Sequence, residues 1–238
     1  LKNEGCTVRG ACGKQDHTAK LQDLLVYLLK GIGIYGEKAA QYGINVKNEG
    51  FFVTQALFAT ITNANFDDAR FQKLIAQAFD VREGLRKQCS DAGLKISDDE
   101  LHDAATWYAD SRDAIEKKAD EVGVLATENE DVRSLRELLI YGVKGICAYA
   151  DHAAVLGYTD NDIYAFVMKA LASTTRDLSV DEMTALVLEC GGAGVKTMAL
   201  LDQANTESYG HPEVTQVSIG VRDNPGILIS GHDLKDME

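Results

Sequence analysis

The chain has 238 residues, 45% of them hydrophobic, enough for one large core or two small ones. Its 37 acidic residues outnumber 24 basic ones, and the net charge of −13 repels phosphate backbones and anionic lipid headgroups, which argues against nucleic acid as a partner. The apolar runs read as shorter than the roughly 18–20 residues a membrane span needs, and the start lacks the basic-then-apolar layout of a signal peptide, so the sequence reads as soluble and cytoplasmic.

Residues 1–17 form a loop, GCTVRGACGK at its centre, before any periodic segment begins. Proline occurs only at Pro212 and Pro225, leaving the first 210 or so residues free of the strongest helix breaker. Apolar residues at helical spacing predict helices over 18–42, 51–62, 68–89, 99–121, 131–156, 160–173 and 180–204. Asp67 and Asp68, Asn129 to Asp131, and Ser179 stand where they can cap the third, fifth and seventh. The acids Asp98 to Glu100 and Glu128 to Asp131 fit helix N-termini, where they offset the dipole.

The chain repeats itself. LQDLLVYLLKGIGIYGEKAAQYG (21–43) aligns without gaps onto LRELLIYGVKGICAYADHAAVLG (135–157), an offset of 114 with eleven of 23 positions identical. The match runs on: Phe52, Val53, Ala56, Leu57 and Thr60 meet Phe166, Val167, Ala170, Leu171 and Thr174, and Asp67 meets Asp181. Two three-helix units are implied, 18–89 and 131–208, joined by a connecting helical segment, 90–130. Identical Gly31 and Gly145 in helix interiors suggest close helix approach, and the equivalent tyrosines Tyr27 and Tyr141, Tyr35 and Tyr149 suggest packing.

Past Tyr209 the texture changes. VTQVSIGV (214–221) alternates as a strand does, Asp223 to Gly226 form a turn, 227–230 reads as a short buried strand, and Asp233 caps a new helix. The fold class is thus mainly α, two tandem three-helix bundles followed over 209–238 by the start of an α/β Rossmann-like domain. Both ends look cut.

Five cysteines are spread too widely for a disulfide framework, with Cys89, Cys147 and Cys190 in helical segments. Only Cys6 and Cys12 lie close together. Thiolates are soft anionic iron ligands, and a loop with Gly5, Gly10 and Gly13 can curl round a cluster; by composition alone, two buried or free thiols in a flexible N-terminal loop are the favoured reading. His232, in SGHDLK at the carboxyl end of a strand, sits where α/β folds bind ligands, or serves simply as a capping residue. His17, His102, His152 and His211 lie at helix starts, on polar faces or in a turn, where solvated roles fit.

In this order GCTVRGACGK, LQDLLVYLLKGI, LFATITNANFDDARF, LATENEDVRSLRELLIYGVKG, YGHPEVTQV and GILISGHDLKDME resemble successive blocks of the hybrid-cluster (prismane) proteins, the hydroxylamine reductase family. The resemblance implies a 4Fe–4S cluster bound by four cysteines, of which Cys6 and Cys12 match the third and fourth; the first two, a CxxC pair, are absent from this sequence. It also implies that His232 ligates a hybrid iron–sulfur–oxygen cluster whose other ligands, cysteines and glutamates, lie beyond Glu238. The implied activity is reduction of hydroxylamine to ammonia and water, with nitric oxide reduction as the other, on a small nitrogen-oxide substrate fed by a redox electron donor protein. A metal-free helical scaffold and a carbon monoxide dehydrogenase-like redox enzyme are the alternatives.

Overall fold

A computed structural model describes residues 8–61, 65–97 and 101–227. Among them are seven α-helices and no strand: α1 (Asp16–Gln41), α2 (Lys47–Ala59), α3 (Asp68–Asp91), α4 (Arg112–Glu121), α5 (Glu130–Val155), α6 (Asn161–Ser173) and α7 (Val180–Tyr209), with 3-10 turns at Asp103–Ala105 and Val124–Ala126. The start signals act as expected. Asp67 accepts from the N–H groups of Ala69 and Arg70, Asn129 from those of Asp131 and Val132, and Ser179 forms a reciprocal capping box with Glu182. The long helices of the two copies also stop alike. Gly43 and Gly157 take φ of +83° and +89°, and Ile44 and Tyr158 then donate back to Ala39 and Ala153 at 2.9 and 3.0 Å.

The copies interlock. α1 packs against α3 and α6, while α5 packs against α7 and α2, so each short helix lies more extensively on the other copy than on its own. The arrangement relates α1, α2 and α3 to α5, α6 and α7 by an approximate twofold. It is made possible by missing side chains: a Cβ on Gly33 would fall 2.8 Å from the Met168 carbonyl oxygen and 3.0 Å from Leu171 Cβ, and one on Gly50 would fall 2.5 Å from Tyr164 Cβ. Around these contacts Leu24, Leu25, Leu29, Ile32, Tyr35, Val53, Leu57, Val167 and Leu171 are wholly buried.

The third helices depart from the expected alignment. Their N-caps, Asp67 and Ser179, are 112 residues apart, and the same offset superposes the buried Phe71, Ala78 and Leu85 on the buried Met183, Cys190 and Thr197. The pairing of Asp67 with Asp181 is therefore two residues out of structural register.

The expected helix over 99–121 is also broken, residues 98–100 lying outside the described ones. Only Arg112–Glu121 is α-helical; before it His102 caps a 3-10 turn by accepting from Ala104 N–H at 3.1 Å. Tertiary anchors hold that turn. Arg82, 1% exposed, donates from Nη1 to the Ala104 carbonyl at 2.9 Å, and Asp103 takes Lys118 at 2.6 Å and the Tyr27 hydroxyl. These bonds outweigh the helical periodicity.

Two further expectations are corrected. No strand forms over 214–221, where Val214, Val217, Ile219 and Val221 are exposed, Gly220 sits at a bend, and no neighbouring strand is present among the described residues to pair with the backbone. Bends at Asp223 and Asn224 fall within the turn expected over Asp223 to Gly226, whereas the strand expected over 227–230 and the helix after it lie, but for Ile227, outside the described residues. By length and composition α7 does reach what a membrane crossing needs, with mean hydropathy 1.3 over its most apolar 18 residues. Glycines, alanines and threonines hide this from a search for bulky apolar runs. Its charges Glu189 and Lys196 pair with Lys169 at 2.7 Å and with Asp160 and Asp162 at 2.9 and 2.7 Å, which ties the helix to α6 and its N-cap.

Replacing Gly33 with leucine should overpack the α1–α6 contact and cost about 1–3 kcal/mol or more. Gly84, whose Cβ position is open, should instead gain up to about 1 kcal/mol when changed to alanine. Urea midpoints of the two variants should move in opposite directions; equal movement would contradict the close-approach reading.

Candidate functional site

The loop of residues 8–15 doubles back on itself. An antiparallel bridge joins Arg9 to Gln15, Gly10 N–H donates to the Lys14 carbonyl at 2.8 Å, and Gly13, at φ +91°, donates to Gly10 at 2.9 Å. Cys12 sits at the tip, exposed. Its neighbour Lys14 turns inward to 5% exposure, donates to Gln22 Oε1 at 2.9 Å, and lies 5.1 Å over the Phe66 ring. Gln22 in turn donates to the Asn65 carbonyl at 3.3 Å. One lysine thus pins the loop to α1 and to the segment leading into α3. The same corner is tied again by Asp68, which takes His17 Nε2 and the Thr18 hydroxyl, each at 2.6 Å.

The donor chemistry at the loop suits an iron–sulfur cluster in kind and falls short in number. Cys12 offers an exposed thiol on a glycine-shaped turn, and its partner in the motif, Cys6, lies outside the described residues, as does His232. Among the described residues no three His, Cys, Asp or Glu side chains converge as a metal site. A four-iron cluster takes about four ligands, twice what the motif supplies.

The other histidines and cysteines have ordinary places. His102 caps its turn, its pKa lowered by burial and by nearby Lys30; His152 lies against the Phe58 ring at 5.4 Å; His211 is exposed. Cys147 is buried between the copies and its thiol is pushed up to about 12 by that burial, while Cys89 and Cys190 are raised for the same reason. All three are buried thiols within the helical body. The equivalent tyrosines do not behave alike: Tyr35 is wholly buried, but Tyr141 and Tyr149 are 67% and 45% exposed. The segment 102–107 covers the first copy, and no described segment covers the second.

Beneath the helix surface is a charged group that motif reading missed. Asp23 and Lys30 of α1 face Glu137 and Lys144 of α5, all four half-buried and interacting through their charges. They are one another's equivalents at the 114 offset, identical at the lysines and acidic at both other positions. The aligned repeat carries that pairing among its more numerous apolar identities. Burial pushes the Asp23 carboxyl up to about 6 from an ordinary 3.8; Lys144, Lys30 and an N–H from Val124 oppose it, and Glu137 adds to it. Glu137 is also raised by burial, and Lys30 and Lys144 are lowered by it. Lys144 further feels Lys14, which links the cluster electrostatically to the cysteine loop. Gly123 leaves room for Asp23, whose Oδ2 would lie 3.2 Å from any Cβ added there.

The profile of the Prismane/CO dehydrogenase family matches residues 2–238. The chain is 59% identical, over 99% of its length, to a hydroxylamine reductase of Nitratidesulfovibrio vulgaris, and 58% identical over 100% to one of Desulfitobacterium hafniense. A hydroxylamine reductase of Clostridium botulinum is 52% identical over 98% of the chain. The chain belongs to the Prismane/CO dehydrogenase family. It spans 43% to 45% of the length of these relatives.

The buried acid gives a pH signature. A carboxyl raised in the folded state favours folding while protonated, so its contribution is present at low pH and is lost as pH rises from about 4 to about 6. Asp23→Asn keeps an oxygen for the Val124 N–H. Its stability should match the parent near pH 4 and exceed it at pH 7 by on the order of 1–3 kcal/mol. A difference in urea midpoint that does not change with pH would remove Asp23 from the buried cluster.

Proposed function

We propose that this chain is the helical part of a hybrid-cluster iron–sulfur oxidoreductase that reduces hydroxylamine to ammonia and water, with nitric oxide as a further substrate. The observation that carries the reading is family membership over residues 2–238 together with relatives named hydroxylamine reductase at 52–59% identity. Units 18–89 and 131–208 form the scaffold, joined through 90–130, and 209–238 opens an α/β Rossmann-like domain. The exposed Val217, Ile219 and Val221 support that last assignment, since a strand with these residues needs a sheet to bury them.

Cys6 and Cys12 are the thiolates for a 4Fe–4S cluster shared with two further cysteines, and His232 is the imidazole for the hybrid cluster. When bound, such clusters supply one-electron transfer and an open iron for a small substrate. The residues of this chain hold that chemistry in place. The Arg9–Gln15 bridge and the inward Lys14 fix the turn that presents Cys12, and Cys12 at its exposed tip is accessible to an electron donor protein. A second nitrogen on His232 is available for a hydrogen bond that sets the orientation of the ring. A cytoplasmic location accords with reduced cysteines and an acidic surface.

Full-length protein purified without oxygen should contain iron and acid-labile sulfide. Cys12→Ser should reduce both and weaken one set of electron paramagnetic resonance signals, while His232→Ala alters a separate set and leaves the first intact. Iron-free protein, or spectra indifferent to both substitutions, would return the chain to a scaffold role.

A further inference from the structure

The turn that carries Cys12 has two cations close to it. Gly13 N–H donates to the Gly10 carbonyl at 2.9 Å and Gly10 N–H to the Lys14 carbonyl at 2.8 Å, so Cys12 and Lys14 belong to one closed loop. Being two residues apart, their Cα atoms lie within about 7 Å of each other. Arg9 bridges to Gln15 across the base of the loop, and its Nη2 would stand 3.8 Å from a Cβ on Gly13. The two cations differ in their surroundings. Arg9 is exposed, whereas Lys14 is 5% exposed, with Gln22 Oε1 at 2.9 Å and the Phe66 ring at 5.1 Å.

Burial decides which charge acts most strongly. Water and salt screen an exposed ion within about 8 Å at physiological ionic strength, while an ion removed from water acts through a lower dielectric constant. The acids of this corner are on the weaker side of that division. Asp16 and Asp68 have side chains 40% and 34% exposed, and they face Lys20 at 3.4 Å and His17 at 2.6 Å. Among the described residues the buried charged side chains are Lys14, Glu37 and Arg82. Glu37 pairs with Arg176, and Arg82 is spent on the Ala104 carbonyl. Lys144, whose charge reaches Lys14, is answered by Asp23 and Glu137. Lys14 is thus the buried charge that belongs to the cysteine loop.

We propose that the Lys14 ammonium sets the reduction potential of the 4Fe–4S cluster at Cys12, raising it by favouring the reduced form. This rests on the reading of Cys12 as a cluster ligand. One electron from the donor protein enters the cluster, no bond forms or breaks and no proton moves, so the cluster gains one negative charge. A fixed cation held out of water attracts that added charge, and the charge around a cluster is one of the properties that set its potential. Lys14 does this without being a ligand. Arg9 acts in the same direction, but through solvent, so salt weakens its share.

The test is a redox titration of full-length protein purified without oxygen, followed by electron paramagnetic resonance. Lys14→Gln should lower the midpoint of the 4Fe–4S signal equally at low and high salt, with iron and sulfide content unchanged. Lys14→Arg, which keeps the charge, should stay with the parent. Arg9→Gln should lower the midpoint at low salt and lose most of that shift at high salt. A Lys14→Gln midpoint at or above the parent's, an equal fall in Lys14→Arg, or loss of the cluster from Lys14→Gln overturns the proposal, the last in favour of a lysine that only pins the loop. Each of these leaves the iron–sulfur reading standing, whereas iron-free parent protein ends both.

Discussion

The contact on which the rest of the molecule depends is the close approach of α1 to α6, where Gly33 and Gly36 of one copy receive Met168 of the other. A Cβ on Gly36 would meet Met168 Sδ at 2.7 Å, so the methionine fills the space that the two glycines leave. The equivalent contact on the other side of the twofold is built from different volumes. Cys147 stands where Gly33 does and lies against Thr54, which stands where Met168 does. A small and a large residue on one side thus correspond to two medium ones on the other. At the centre, Gly50 makes way for its own equivalent, Tyr164. Such paired changes of size let two diverged copies keep one mutual packing.

That packing sets the position of everything with chemical character. It brings α1 and α5 near enough for Asp23 and Lys30 to act on Glu137 and Lys144, and it fixes the start of α1, from which the Cys12 turn is held through Lys14 and Gln22. Burying four charges costs solvation, which mutual attraction offsets only in part, and the raised acids and lowered lysines record the balance. The repeat supplies both halves of this cluster, an acid and a lysine seven residues apart in each copy.

Much of the fold is legible in the sequence. The helices, their caps and the repeat follow from apolar spacing, from Asp67, Asn129 and Ser179, and from ungapped identity over 21–43 and 135–157. What periodicity does not contain is which surface meets which: the interlocking rests on absent side chains at Gly33, Gly36 and Gly50, which a reading of apolar residues passes over. In 99–121 the helical spacing is overruled by tertiary bonds, Arg82 reaching in from α3 to the Ala104 carbonyl and Asp103 taking Lys118 across the turn. Alternation in 214–221 marks a strand only when a sheet is there to receive it. For the candidate site, spacing picked out Cys6 and Cys12, but the inward Lys14 was not distinguishable from a solvated lysine.

The central structural claim is that residues 16–91 and 130–209 form one cooperative body through α1–α6 and α2–α5, not two units that happen to adjoin. Native-state hydrogen exchange across a denaturant series tests this most directly. Amides in the middle of α1, α2, α5 and α6 should open together, with one common free energy and one common denaturant dependence. Separate openings of the two copies, each with its own free energy and a smaller slope, would contradict the account.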